Sequence, residues 1–98
     1  MGSVTAEAAV LTHPGEKTDV RGKIIVTATT DPGWVFLLSM AAGIIAEKGS
    51  LLSHTAIISR ELKIPAVVAV HNAASIIKSG DLVHIDGETG LVNIVRRM

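Results

Sequence analysis

The stretch of this chain whose residue types and spacing point to covalent chemistry is GSLLSHTAIISRELKIPAVV, Gly49 to Val68. His54 stands there between two hydroxyl residues, Ser53 and Thr55, ahead of a run whose aliphatic residues Ile57, Ile58 and Leu62 have the spacing of a helix face. Ser53 is a suitable N-cap, which puts His54 in the first helical turn. Backbone N–H groups in a first turn lack intrahelical acceptors, and the positive end of the helix macrodipole lies at the same place. A phosphoryl group on His54 would be supported by those donors, by the Ser53 and Thr55 hydroxyls, and by Arg60 if its side chain folds back. Imidazole suits a transient carrier, because a reference pKa of about 6.5 leaves it largely neutral and nucleophilic near pH 7. It also leaves readily once an acceptor takes the phosphoryl group. The same spacing suits a structural histidine that only hydrogen-bonds its surroundings, and spacing alone leaves both readings open.

The elements that must position such a residue follow from composition and pattern. The chain has 98 residues, enough for one small domain, and 48% of them are apolar while Phe, Tyr and Trp supply 2%. Its core must therefore be built from Ala, Val, Ile and Leu, which suits aliphatic strands under Ala-rich helices. Val4 to Leu11 reads as a strand, and His13 to Lys17 as a loop. The β-branched run Ile24 to Ala28 predicts a buried strand. Thr29-Thr30-Asp31-Pro32 is a helix-start signal, predicting a helix over Trp34 to Ala42 that Gly43 stops. Ile44 to Ala46 is a further strand, followed by the polar turn Glu47-Lys48-Gly49-Ser50. A helix from Ser53 to Leu62 is then closed by Lys63-Ile64-Pro65 and followed by a strand over Ala66 to Val70. Asn72 to Ile77 predicts a short helix, and the runs Asp81 to Asp86 and Gly90 to Val95, joined by Gly87-Glu88-Thr89, a closing hairpin. From Ile24 onward the sum is βαβαβ, a small helix and a hairpin, a compact α/β domain.

Several function classes are disfavoured by the same reading. With 9 basic and 9 acidic residues the formal net charge is zero, so there is no electrostatic reason to expect a nucleic acid partner, and no aromatic set to stack on bases. The absence of cysteine removes disulfides and thiolate metal sites and fits a reducing cytoplasm. The longest apolar run, Gly33 to Ala46, is broken by Ser39 and Gly43 and falls short of the roughly 20 residues a spanning helix needs. The opening residues show no basic start followed by an apolar block, so neither a signal peptide nor a membrane partner is expected. His13, His54, His71 and His84 lack the close spacing of metal ligands, and no metal site is expected. His84 reads as the polar face of a strand, His71 with Asn72 as the cap of the next turn, and Asp31 as a helix cap. Trp34 reads as a core or interface residue, and Asp86 with Glu88 as a turn device. Neither a Gly-x-Ser-x-Gly elbow nor a Gly-x-x-x-x-Gly-Lys-Ser/Thr phosphate loop occurs.

Gly49 to Leu62, followed by Lys63-Ile64-Pro65-Ala66-Val67-Val68, resembles the phosphohistidine motif of the PEP-utilising enzymes: phosphoenolpyruvate synthase, pyruvate phosphate dikinase and the rifampin phosphotransferases. That motif runs Gly-Gly, two variable positions, Ser or Thr, His, a small residue, Ala, two aliphatics, a small residue and Arg, then Gly-Ile-Pro-Ala-Val-Val. The resemblance extends to Thr30-Asp31-Pro32-Gly33-Trp34, to Gly43-Ile44-Ile45-Ala46-Glu47, and to Gly80-Asp81, Asp86-Gly87 and Gly90, covering about Gly22 to Val95. The chain departs from the pattern at Ser50, which replaces the second glycine, at the apolar Leu52, and at Lys63, which replaces the glycine before Ile-Pro. If the loop needs φ > 0 at Ser50, the serine costs on the order of 1 kcal/mol there.

The resemblance implies a single phosphohistidine domain over residues 1–98, an α/β swivelling module with a β/β/α layout, clearest over 22–95. It implies His54 as the covalent carrier, attacking through the outer nitrogen Nε2, with Gly49, Ser50, Ser53, Thr55 and Arg60 stabilising the phosphoryl group. It also implies an ATP-grasp nucleotide-binding domain as donor and a separate phosphoryl-acceptor domain, on the same parent chain or another subunit. Magnesium and ATP or PEP belong on those partner domains and no cofactor on this chain, which is a phosphotransferase component and not a complete enzyme. The alternative is a binding or regulatory module that keeps the swivelling fold without the chemistry, docking through Trp34, Leu37 and the His loop.

Overall fold

The fold is seen in a computed structural model that describes residues 2–11, 19–27, 39–47, 61–68, 70 and 72–97. In chain order the elements are β1 (Ser3–Val10), β2 (Ile24–Thr27), β3 (Gly43–Ala46), β4 (Ala66–Val68), a short helix α1 (Ala73–Ile76), β5 (Leu82–Asp86) and β6 (Leu91–Arg96). They build one six-stranded mixed sheet in the order β4-β3-β2-β1-β5-β6. β1, β2, β3 and β4 run parallel to one another, with Ile24 beside Gly43 and Ile44 beside Ala66. β5 joins the other side of β1 antiparallel, pairing Ser3 with Asp86 and Thr5 with His84, and β6 pairs antiparallel with β5.

The strand sequences account for this division. Ile24–Thr27 and Gly43–Ala46 are buried at every position, as unbroken aliphatic strands covered on both faces must be. β5, Leu-Val-His-Ile-Asp, alternates, with Val83 and Ile85 fully buried and the residues between them partly exposed. Apolar side chains gather on both faces of the sheet. On one face Ala8, Ile24, Val26, Ile45 and Val67 pack with Ala73 and Ile77 around α1 and with Val83 and Ile85 of β5. On the other, Ala9, Leu11, Val20, Ile25, Ala41 and Ile44 pack with Met40, Leu62 and Ile64.

The packing of β5 residues against β3 and β4, strands several places away in the sheet, requires the sheet to curl. Gly43 marks the closest approach. A Cβ there would sit 2.8 Å from Ile85 Cδ1 and 3.2 Å from both Val4 Cγ1 and the Pro65 carbonyl oxygen. The Pro65 oxygen cannot retreat freely, because it accepts the Ile44 N–H at 3.1 Å.

The hairpin is fastened by carboxylates. Asp81 is buried; its Oδ2 accepts the Lys78 N–H at 3.0 Å and lies 3.6 Å from the Arg97 guanidinium, which also donates to the Ile76 carbonyl at 2.9 Å. A cation thus sits at the C-terminal end of α1, where its charge opposes the negative end of the helix dipole. Asp86 Oδ1 accepts the N–H groups of Glu88 at 2.9 Å and Thr89 at 3.3 Å, which is the turn device its sequence predicts. β6 is an edge strand, with Leu91 and Val95 each 54% exposed.

Most predicted elements are found, with changed ends. The strand expected over Ala66 to Val70 ends at Val68, and the short helix occupies Ala73–Ile76. The helix expected to run to Ala42 does not reach it: Ser39 and Met40 form a turn, Ala41 and Ala42 are not helical, and Gly43 opens β3. Gly43 is small because side chains crowd it in the core, not because a helix stops there. Residues 34–38 of that predicted helix, and residues 53–60 of the next, lie outside the described residues; Glu61 and Leu62 are helical.

Two outcomes follow from this packing. Gly43→Ala is expected to destabilise the chain by about 1–3 kcal/mol, and Gly43→Val by more, read as a lower urea midpoint, because the added carbon must displace Ile85 or the backbone at Pro65. The Asp86 carboxyl is held below its ordinary value of 3.8, chiefly by the Glu88 N–H, with Thr89 and His84 adding to this against a smaller opposing effect of desolvation. A lowered folded-state pKa makes its contribution fully present above the unfolded value and lost as pH falls through the folded one. Carbon-detected NMR titration should show the depressed Asp86 value, and Asp86→Asn should flatten the acid limb of stability against pH.

Candidate functional site

The segment that carries His54 leaves the sheet from β3 and returns to it as β4. Gly49, Ser50, Ser53, His54, Thr55 and Arg60 all lie outside the described residues, as do Asp31, Trp34, Leu37, His13 and His71. The described frame holds both ends of that segment. Because β1 to β4 are parallel, β3 delivers the chain at the carboxyl edge of the parallel strands, the edge at which open α/β sheets place their ligands.

At the departure point three hydrogen bonds converge. The Glu47 N–H donates to the Thr27 carbonyl at 3.0 Å, and the Val70 N–H donates to the Ala46 carbonyl at 3.3 Å. The Glu47 carboxylate reaches farther, accepting the Ala74 N–H of α1 at 2.8 Å through Oε2. Asn72, at the N-cap position of α1, has φ 58°, and its side chain makes no capping bond. The cap assigned to Asn72 from the sequence is therefore supplied by Glu47, from the far side of the His54 segment, while His71, named with it, lies outside the described residues. Local spacing carries no signal for such a bond; the one available sign was an acidic residue directly after an aliphatic strand.

At the return point Leu62 and Ile64 pack against the cluster that contains Ile25 and Ile44. Between them Lys63 takes φ 59°, the left-handed conformation that commonly ends a helix and favours glycine. Positive φ thus falls at Lys63, the position where the resembling motif carries glycine. The Pro65 carbonyl then bonds Ile44 just before β4 begins, so departure and return are tied to the same strand.

The remaining sequence candidates have local roles. His84 Nδ1 lies 2.7 Å from Thr5 Oγ1 across the β1–β5 pair, on the polar face expected for it. Among the described residues no group of His, Cys, Asp and Glu is arranged to hold a metal ion, and no helix is long and apolar enough to cross a membrane. A groove of about 170 Å³ between α1 and β6, lined by Val70, Ala73, Ile76, Ile77, Val92 and Ile94, is wholly apolar in its side chains and offers no acid, base or nucleophile.

Comparison with known proteins completes the picture. The family model described as PEP-utilising enzyme, mobile domain, matches residues 19–90, a span that includes His54 and the whole described frame from Asp19 to the hairpin turn. The chain is 42% identical over 93 residues to a probable phosphoenolpyruvate synthase of Staphylothermus marinus, covering 94% of this chain and 11% of that protein. It is 38% identical over 94 residues to a rifampicin phosphotransferase of Bacillus cereus, covering 96% and 11%. It is 42% identical over 99 residues to the prodigiosin synthesizing transferase PigC of Serratia marcescens, covering 97% and 11%. It therefore spans about a tenth of the length of these relatives. A solution NMR structure of Enzyme I (nEIt) superposes with a TM-score of 0.69 at 35% identity, covering 76% of this chain and 31% of that one. The match across residues 19–90 and the identity to these relatives over nearly the whole chain show that the chain belongs to the family of PEP-utilising enzyme mobile domains.

Proposed function

We propose that the chain is the phosphoryl-carrying domain of a PEP-utilising phosphotransferase, with His54 as the covalent carrier. The observation that carries this reading is the family match across residues 19–90, within which His54 stands between two hydroxyl residues in the motif quoted above. The relatives named as synthase and phosphotransferase support a transfer role, and their greater length supports a donor and an acceptor on other domains or subunits.

The chemistry runs in two displacements. The lone pair of a neutral His54 ring nitrogen attacks the donor phosphorus, and the bond from phosphorus to the donor's leaving oxygen breaks with its electrons on that oxygen. The ring then carries an N–P bond. At the second site an acceptor oxygen attacks the same phosphorus, the N–P electron pair returns to the imidazole, and the acceptor's proton passes to a base on the acceptor domain. Ser53, Thr55 and Arg60 are assigned to hydrogen-bond and neutralise the phosphoryl oxygens, and the Gly49-Ser50 turn to let backbone N–H groups approach them. ATP or PEP and magnesium belong to the partner domains, among them an ATP-grasp donor.

The test is to incubate the chain with an ATP-grasp domain of this family and magnesium-ATP and follow intact mass under alkaline conditions. An acid-labile, base-stable gain of one phosphoryl group is expected on the wild type and is expected to vanish in His54→Ala with the far-UV spectrum unchanged. Ser53→Ala and Arg60→Ala should retain the gain with rates lower on the order of a hundredfold, the scale of losing one charge-stabilising donor. Absence of the gain across several donors, with a folded wild type, would favour a binding or regulatory module.

A further inference from the structure

We infer that Glu47 is a positioning residue for the His54 segment, acting through a long-range cap on α1; the inference rests on the carrier reading of His54. Glu47 is the last described residue before that segment, and its backbone and side chain bond in different directions. The backbone N–H holds it to β2 at Thr27, while the carboxylate reaches over the carboxyl edge of the sheet to the Ala74 N–H, 2.8 Å away. Ala74 is in the first turn of α1, where a capping side chain normally comes from the residue just ahead of the helix. Here that residue, Asn72, is in the left-handed conformation and makes no side-chain bond to the helix, so the cap is delegated to a residue 27 positions earlier in the chain.

The consequence lies in what the bond connects. Glu47 precedes the His54 segment, and α1 follows the strand into which that segment returns. The Val70 N–H, bonded to the Ala46 carbonyl, draws the β4–α1 connection to the same point. The bond to Ala74 therefore ties the departure of the segment to the structure beyond its return. Removing the carboxylate leaves the bond to Thr27 and the aliphatic pairing of β3 in place, so the sheet persists while the departure point gains freedom. Transfer from a histidine to a donor fixed on another domain depends steeply on placement, with displacements near 1 Å costing about a hundredfold in favourable cases.

The experiment compares wild type with Glu47→Ala and Glu47→Gln, the glutamine keeping a neutral oxygen at the same reach. In Glu47→Ala the Ala74 amide should exchange with solvent on the order of tenfold faster while the Ile25 and Ile45 amides keep their protection. The initial rate of phosphoryl gain on His54 should fall on the order of tenfold or more, and Glu47→Gln should recover most of both losses. A purely structural cap would raise Ala74 exchange without lowering the rate in a fully folded sample, and that result overturns the inference, as does unchanged Ala74 exchange. If Glu47→Ala does not fold, Glu47→Gln and Glu47→Asp decide: a rate preserved in the aspartate, which is too short to make the bond, overturns it. If wild type gains no phosphoryl group, the carrier reading fails separately; the His54 imidazole resonances of wild type and Glu47→Ala then judge positioning, with identical spectra counting against it.

Discussion

The close approach at Gly43 governs the architecture. A flat six-stranded sheet keeps non-neighbouring strands apart, yet here Ile85 of β5 and Val4 of β1, neither of them a neighbour of β3, come down on its start until no room remains for a Cβ. That curvature lets Val83 and Ile85 share a core with Ile45 and Val67, so the hairpin serves as a cover for strands it does not neighbour. With so few aromatic side chains, the chain has little bulk with which to fill a wide interior, and bringing the backbones close is the alternative. Once one face is closed in this way, the other face of the parallel strands is free to pack Leu11, Val20, Leu62 and Ile64 against Ile25 and Ile44.

The division of labour between the halves of the sheet follows from that closure. The parallel strands present their carboxyl edge, and β3 supplies the point from which the His54 segment leaves. The antiparallel hairpin contributes no candidate chemistry; it completes the core and anchors α1 through Arg97 and Asp81. On the proposed carrier reading this separation is useful, because a phosphoryl group on His54 would ride on a body whose shape is set by dense aliphatic packing. The His54 segment itself is bounded by strong local constraints: the hydrogen bonds of Glu47 on one side, and Leu62, Lys63 and Ile64 on the other.

Much of this was legible in the sequence, for reasons that differ from element to element. The runs Ile24 to Ala28 and Ile44 to Ala46 announced buried strands because a fully covered parallel strand has no polar face to disguise it. The alternation around His84 and the Gly87-Glu88-Thr89 turn announced the hairpin, and Asp86 was recognisable as its fastener. Gly43 misled, since a glycine after an apolar run signals a helix end equally well, and only the distant Ile85 and Val4 reveal its purpose. Glu47 was missed for the same reason: its partner Ala74 is remote in sequence, and no local rule couples them. The positive φ at Lys63 was detectable only through the glycine of the resembling motif, because a lysine carries no sign of that conformation. Motif and family were readable because His54 and its neighbours are contiguous, whereas long-range bonds leave no contiguous trace.

β1, the first strand of the chain, lies in the middle of the sheet, with β2 on one side and β5 on the other. Its pairing with β5 joins residues as distant as Thr5 and His84, 79 positions apart. Non-local pairings of this kind raise contact order and slow folding, since a large loop must close before its contacts stabilise anything. During synthesis the parallel strands can begin to associate early, but one long side of β1 stays unpaired until the hairpin has emerged from the ribosome. β5 and β6 therefore decide when this sheet stops being partly open, since β1 has no partner on that side until β5 pairs with it.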